Sequence, residues 1–193
     1  MSGLYWPGIK QAGNGVIQIT LFPAFFYTNR GTAMKIILAA LMGRNGTVKV
    51  TGRVHFLIKG PDGKIKTDEW HNNLVVTTGK NYIADQLSDR GVAAMSHMAI
   101  GTGTTAPAAT DTALQTELDR NALSSITQGS GADANKVTYI CDWAAGDGTG
   151  AITEAGIFNS VSAGTMLCRS VFPVKNKGAA DTLTLTWVLT ISA

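Results

Sequence analysis

Cysteine is scarce in this chain, with only Cys141 and Cys168 present, each inside an apolar β-type run. Neither has CxxC or metal-ligand spacing, which argues against a zinc site or a redox motif and leaves two small buried hydrophobes. A disulfide across neighbouring strands stays open, because sequence does not carry the geometry that bond needs. Histidine is nearly as rare: His55, His71 and His97 are widely separated and form no zinc-type pair. His55 falls on the polar face of an expected strand and His71 in an expected turn, so neither metal binding nor acid–base catalysis is expected of them. No Gly-x-Ser-x-Gly elbow occurs. No apolar run reaches the ~20 residues that span a bilayer. The longest, residues 15–27, is interrupted by Pro23.

Acidic residues are missing from the first 45 positions, which hold Lys10, Arg30, Lys35 and Arg44. The remainder carries 12 basic and 13 acidic groups, so the formal charge of +3 resides in the N-terminal segment. No Lys/Arg cluster with interleaved aromatics is present, and specific nucleic-acid binding is not expected. The N-terminal segment has a second apolar stretch at residues 36–42, preceded by Lys35. It lies too far into the chain and is too short for a secretory signal. Two readings compete for residues 1–45: a leader ahead of a true start at Met34 or Met42, or an arm that orders against a neighbouring subunit.

From residue 46 onward, short β-type runs alternate with glycine-rich turns. With 45% hydrophobic and 15% charged residues, the composition supports a packed core rather than disorder. The closing run is the clearest: Leu183, Leu185, Trp187, Leu189 and Ile191 alternate with Thr184, Thr186, Val188 and Thr190. Strict alternation marks a strand with one buried face. Residues 47–59 read as another strand, with Val48, Val50, Val54, Phe56 and Ile58 on one side. Pro61-Asp62-Gly63 then turns the chain into Lys64–Trp70, making a hairpin. Leu74–Val76, His97–Ile100, Lys136–Cys141, Ala155–Phe158 and Met166–Phe172 complete the strands. Two short helices are expected. The first covers Gly79–Ser88, with Tyr82, Ile83 and Leu87 toward the sheet. The second covers Asp111–Asn121, with Thr110 as N-cap and Ala113, Leu114, Glu117 and Leu118 inward. Strands outnumber helices and βαβ alternation is absent. The expected fold is therefore mainly β: an antiparallel, jelly-roll-like β-sandwich over residues 46–193, with two short helices.

Candidate chemistry is sparse. Gly101-Thr102-Gly103-Thr104-Thr105 lacks the lysine of a Walker loop and the third glycine of a dinucleotide fingerprint, and reads as a tight turn. Asp142, Asp147 and Glu154 are too thinly spaced for a calcium loop. No catalytic, cofactor or metal site is expected. More informative are Glu117, Arg120, Glu154 and Arg169. Glu117 and Arg120 lie three apart on the expected second helix, close enough to pair. Arg169 stands mid-strand among apolar residues, where an inward-pointing charge requires a carboxylate. We read these four as an internal structural clamp, with Glu154 or Glu117 as the partner of Arg169. The competing reading has Arg169 pointing to solvent.

The ordered series Asn73–Gly79, Met98–Gly103, Asp111–Arg120, Ile152–Phe158, Thr165–Arg169 and Leu183–Ile191 resembles structural proteins of tailed bacteriophages. The resemblance covers roughly residues 47–193 and implies a virion component made in the host cytoplasm. In that family such small β-sandwich proteins serve as capsid decoration (cement) subunits or as tail and fibre attachment pieces. The expectation is a non-enzymatic, homo-oligomeric subunit on the capsid surface whose partner is the major capsid protein, with no cofactor and no membrane partner. A tail or fibre-attachment protein is the alternative. A carbohydrate-binding module using Trp70 or Trp143 is a third.

Overall fold

The computed structural model describes residues 48–192, together with two short strands, β1 (Lys10–Gln11) and β2 (Ile17–Gln18), which pair antiparallel. The other expectations for residues 1–45, including the starts at Met34 and Met42, lie outside the described residues. The chain divides into two units, Met1–Gly46 and Thr47–Ala193.

The second unit is built from β3 (Lys49–Lys59), β4 (Ile65–Asn72), β5 (Leu74–Val75), α1 (Thr77–Leu87), β6 (His97–Gly101), β7 (Glu117–Ala122), β8 (Ser125–Gln128), β9 (Lys136–Trp143), β10 (Gly150–Phe158), β11 (Met166–Lys177) and β12 (Thr182–Ser192). A single 3-10 turn, Gly131–Asp133, precedes β9. The strands form two five-stranded antiparallel sheets, ordered β5-β11-β10-β6-β7 and β4-β3-β12-β9-β8. Hairpins within a sheet (β3–β4, β6–β7, β8–β9, β10–β11) alternate with crossings between the sheets.

Alternation in the sequence becomes burial in the structure. On β12, Leu183, Leu185, Trp187 and Leu189 are buried, and the intervening threonines and Val188 are half-buried on the opposite face. Ile191, at the strand end, is 44% exposed instead. Val54, Phe56 and Ile58 of β3 lie in the same apolar cluster, together with Met98, Ile100, Ile152, Ile157, Cys168 and Phe172 of the other sheet. One core thus joins two sheets in a sandwich-like arrangement. The turn after β3 closes with the Gly63 N–H donating to the Gly60 carbonyl at 2.9 Å, and Gly63 takes a φ of 77°.

The sheet centred on β10 and β11 is covered on both faces. Glu154 to Phe158 and Met166 to Ser170 are each buried without interruption. A second cluster of Val76, Ala99, Leu114, Phe158 and Met166 adds an outer layer. α1 supplies part of this cover: the Thr78 hydroxyl donates to the Met166 carbonyl at 3.0 Å, and Gly79 lies directly on the Leu167 carbonyl. Leu87 departs from expectation. It is the last residue of α1 and 85% exposed, whereas Tyr82 and Ile83 pack toward the core.

One of the two expected helices is replaced. Residues 111–121 form bends followed by strand β7, which pairs with β6. The physical reason lies in the amides. A helix would turn the N–H groups of Gln115 and Thr116 onto its own carbonyls, but here both donate to the Glu154 carboxylate. Thr116 also accepts from the Thr102 N–H at 2.9 Å, which ties the segment to the sheet.

Candidate functional site

The densest polar constellation among the described residues is the clamp around Arg169. Arg169 lies on β11 opposite Gly156 of β10, and Glu154 stands two residues earlier on β10. Both side chains are almost wholly buried. The Arg169 Nε donates to Glu154 Oε2 at 2.9 Å, and Nη2 lies 2.7 Å from the same oxygen. Nη1 donates to Asp111 Oδ2 at 2.8 Å. The remaining carboxylate capacity is taken by backbone. Glu154 Oε1 accepts from the N–H groups of Gly103 at 2.9 Å and Thr116 at 2.7 Å, and Oε2 accepts from Gln115 at 3.0 Å. Asp111 Oδ2 also accepts from the Ala108 N–H at 2.9 Å.

Burial acts to raise the Glu154 pKa, but the Thr116 and Gln115 amides and the Arg169 guanidinium outweigh it and hold the group below its usual 4.5. Asp111 is likewise lowered: burial opposes, and the Ala108 amide and Arg169 prevail. A buried charge tolerates removal from water only when it is paired and its lone pairs are filled, and both conditions hold here. What the clamp does is mechanical. It fastens residues 102–116 over the face of β10 and β11, helped by the Thr153 hydroxyl on the Gly103 carbonyl and the Gln115 side chain on the amides of Thr104 and Thr105.

Glu117 and Arg120 form a separate pair. Arg120 Nε and Nη2 donate to the two Glu117 carboxylate oxygens at 2.9 and 2.6 Å. They stand on β7, not on a helix, and in a regular strand residues three apart face opposite sides. The register shifts by one between Ile100–Asp119 and Gly101–Glu117, so Leu118 is an extra residue. That bulge restores Glu117 to the side of Arg120. Arg120 Nη1 also donates to the carbonyls of Ser160 and Ala163, and its guanidinium sits 3.8 Å from the Phe158 ring centroid. Glu117 is therefore the partner of Arg120, and Asp111 is the second carboxylate on Arg169. Sequence reasoning missed Asp111, which was assigned to the start of a helix.

The remaining candidates are dispersed. His71 stands in strand β4 rather than in a turn, between Phe56 and Phe172. Burial and the Lys175 ammonium lower its pKa. His55 Nε2 meets Asp68 Oδ1 at 2.6 Å, and His97 Nδ1 lies 2.8 Å from the Ser96 hydroxyl. Asp142 bonds the hydroxyls of Ser124 and Thr184, so it does not converge with Asp147 and Glu154. Among the described residues no three His, Cys, Asp or Glu side chains gather in metal-binding reach, and no helix is long and apolar enough to cross a membrane. Trp143, one of the two candidates for sugar stacking, is buried in the core. Trp70 is 44% exposed, with the Arg53 guanidinium 4.2 Å from its ring centroid and His55 stacked on it at 4.8 Å.

Comparison with known proteins adds no relative: no protein-family model, no curated protein and no solved structure matches the chain.

Proposed function

We propose that this protein is a non-enzymatic virion subunit that decorates and stabilises an assembled phage capsid, bound to the major capsid protein. One observation carries the reading. Five of the six segments that resemble phage structural proteins fall in one sheet and its cover: Asn73–Gly79 in β5 and α1, Met98–Gly103 in β6, Asp111–Arg120 in the clamped segment and β7, Ile152–Phe158 in β10, and Thr165–Arg169 in β11. The segments that carry the resemblance thus include the residues that lock a loop onto a sheet, as suits a building block. The finer, jelly-roll-like form of the sandwich is part of this proposal. Many modest contacts on one shell add to a large stabilisation through multivalency.

Quantitative mass spectrometry of purified particles tests this reading. A decoration subunit is expected at a copy number comparable with the major capsid protein. A few dozen copies or fewer would instead place it in the tail or at a vertex, and absence from the particle would overturn the virion reading.

A second reading, a carbohydrate-binding module, is favoured by the exposed Trp70 beside Arg53 and His55. Aromatic faces with neighbouring polar groups are a platform for sugar rings. Tryptophan fluorescence quenching across a glycan panel, lost in Trp70→Ala, is its test.

A further inference from the structure

Among the described residues the two sheets end in four edges, and three of these are protected. β5 is two residues long. β7 is bulged at Leu118 and carries Glu117, Asp119 and Arg120. β4 carries Lys66, Asp68 and Glu69. Brevity, bulges and charge are the devices by which sheet edges avoid pairing with another chain. β8 has only modest length. Ser125-Ile126-Thr127-Gln128 pairs regularly with β9, is exposed throughout, and lies in a run from Asn121 to Ala132 that contains no charged residue.

Its backbone polarity can be read from the ladder. The Gly129 N–H donates to the Lys136 carbonyl at 2.9 Å. Counting back in twos, Thr127 and Ser125 turn their backbone groups toward β9, so Ile126 and Gln128 turn theirs outward. Ile126 lies across from the buried Tyr139, on the core-facing side, yet is 49% exposed at the edge of the sheet.

We propose that β8 pairs antiparallel with β8 of a second copy of this chain, about a two-fold axis at Thr127. In that register Ile126 of one copy faces Gln128 of the other and exchanges both N–H···O=C bonds with it, twice over by symmetry. Thr127 meets its own mate as a non-hydrogen-bonded pair, with Cβ atoms about 4.5–5.5 Å apart, and threonine pairs are favourable there. An uncharged edge meets no like-charge repulsion from its copy, and each Ile126 gains cover. The strand is short, so the contact is a weak one that gains strength when copies are held close together. The pairing stands on the edge geometry and does not depend on the virion reading.

The test is directed cross-linking in the full chain, whose two native thiols are buried. Under mild oxidation Thr127→Cys is expected to give a disulfide-linked dimer as its main species, resolved by non-reducing electrophoresis and confirmed by peptide mass spectrometry. Ser125→Cys, displaced from the axis, and Asp68→Cys, on the β4 edge, are expected to stay mainly monomeric at the same concentration. Thr127→Lys, which sets two ammonium groups at the axis, is expected to abolish concentration-dependent association in sedimentation velocity while leaving the melting temperature unchanged. Cross-linking at position 127 no greater than at 125 or 68, or association untouched by Thr127→Lys, overturns the proposal.

Discussion

Arg169 holds two carboxylates, Glu154 and Asp111, from opposite ends of one guanidinium. Removing it leaves Glu154 fully buried with its charge uncompensated. Breaking one partner of a buried pair costs roughly 3–5 kcal/mol, so Arg169→Met is expected to lower stability by about that amount, read from urea denaturation. Stability unchanged in that variant would end the clamp interpretation. Acid acts on the same group. The folded-state pKa of Glu154 lies below its usual 4.5, so as pH falls the unfolded chain takes up the proton first. The stabilisation is therefore fully present above that value and is lost as pH falls through the lower folded pKa. Glu154→Gln is expected to flatten the acid limb of a stability–pH curve relative to the unmodified chain. That Arg169 requires a carboxylate if it turns inward is legible in the sequence, because the residues around it are apolar; its inward turn is decided by the fold. Asp111 is not legible, since it lies 58 residues away and reaches Arg169 from a loop.

At the scale of elements, legibility follows the strength of the periodic signal. β3, β9 and β12 announce themselves by alternation, and β10 and β11 by continuous apolar runs. β7 does not: Glu117–Ala122 mixes charge and apolar residues, and its apolar spacing fits a helix as well as a strand. What decides it is the edge of β6 and a buried carboxylate in need of amides. β8 is short and polar and gives no pattern at all. α1 is legible, but its seat on β11 is not. That seat requires Gly79, where a Cβ would collide with the Leu167 carbonyl, a backbone group that cannot move aside cheaply. Overpacking of this kind costs about 1–3 kcal/mol, and Gly79→Ala is expected to lower the thermal or urea midpoint accordingly despite alanine's higher helix propensity. β11 carries a comparable feature at its ladder irregularity. Phe172, Pro173 and Val174 interrupt the pairing between Val171 and Lys175, a position that tolerates the missing N–H of proline.

For the whole second unit, cohesion comes from one apolar cluster shared by two sheets, and the two cysteines report on it. Burial pushes the Cys141 thiol up to about 12, and Cys168 well above its ordinary value. Thiols so placed are unreactive until the sheets part. Labelling by an aromatic disulfide reagent is expected to be negligible under native conditions and to reach two thiols per chain on unfolding in denaturant. Prompt native labelling of either cysteine would show that the core opens locally. The ion pairs Lys66–Asp181 and Lys175–Glu69 also bridge distant parts of the chain, yet each has one partner largely in solvent. Lys66 stays half in solvent and Asp181 keeps the Gly178 amide, so Lys66→Met is expected to change stability less than Arg169→Met in the same denaturation experiment.

The sequence by itself determined the mainly β composition, most strand positions, the β3–β4 hairpin and the need of Arg169 for a counter-charge if it turns inward. Each of these is local: alternation, turn residues and the charge of one side chain are read within a few positions. The tertiary structure alone decided the strand order in each sheet, the conversion of residues 117–121 from expected helix to strand, and the arrival of Asp111 at Arg169. It also decided the burial of Trp143 and which edge stays unprotected. These outcomes depend on which distant backbone groups and charges meet, and a buried carboxylate that must collect three amides and a guanidinium overrides the local preference of the chain that supplies them.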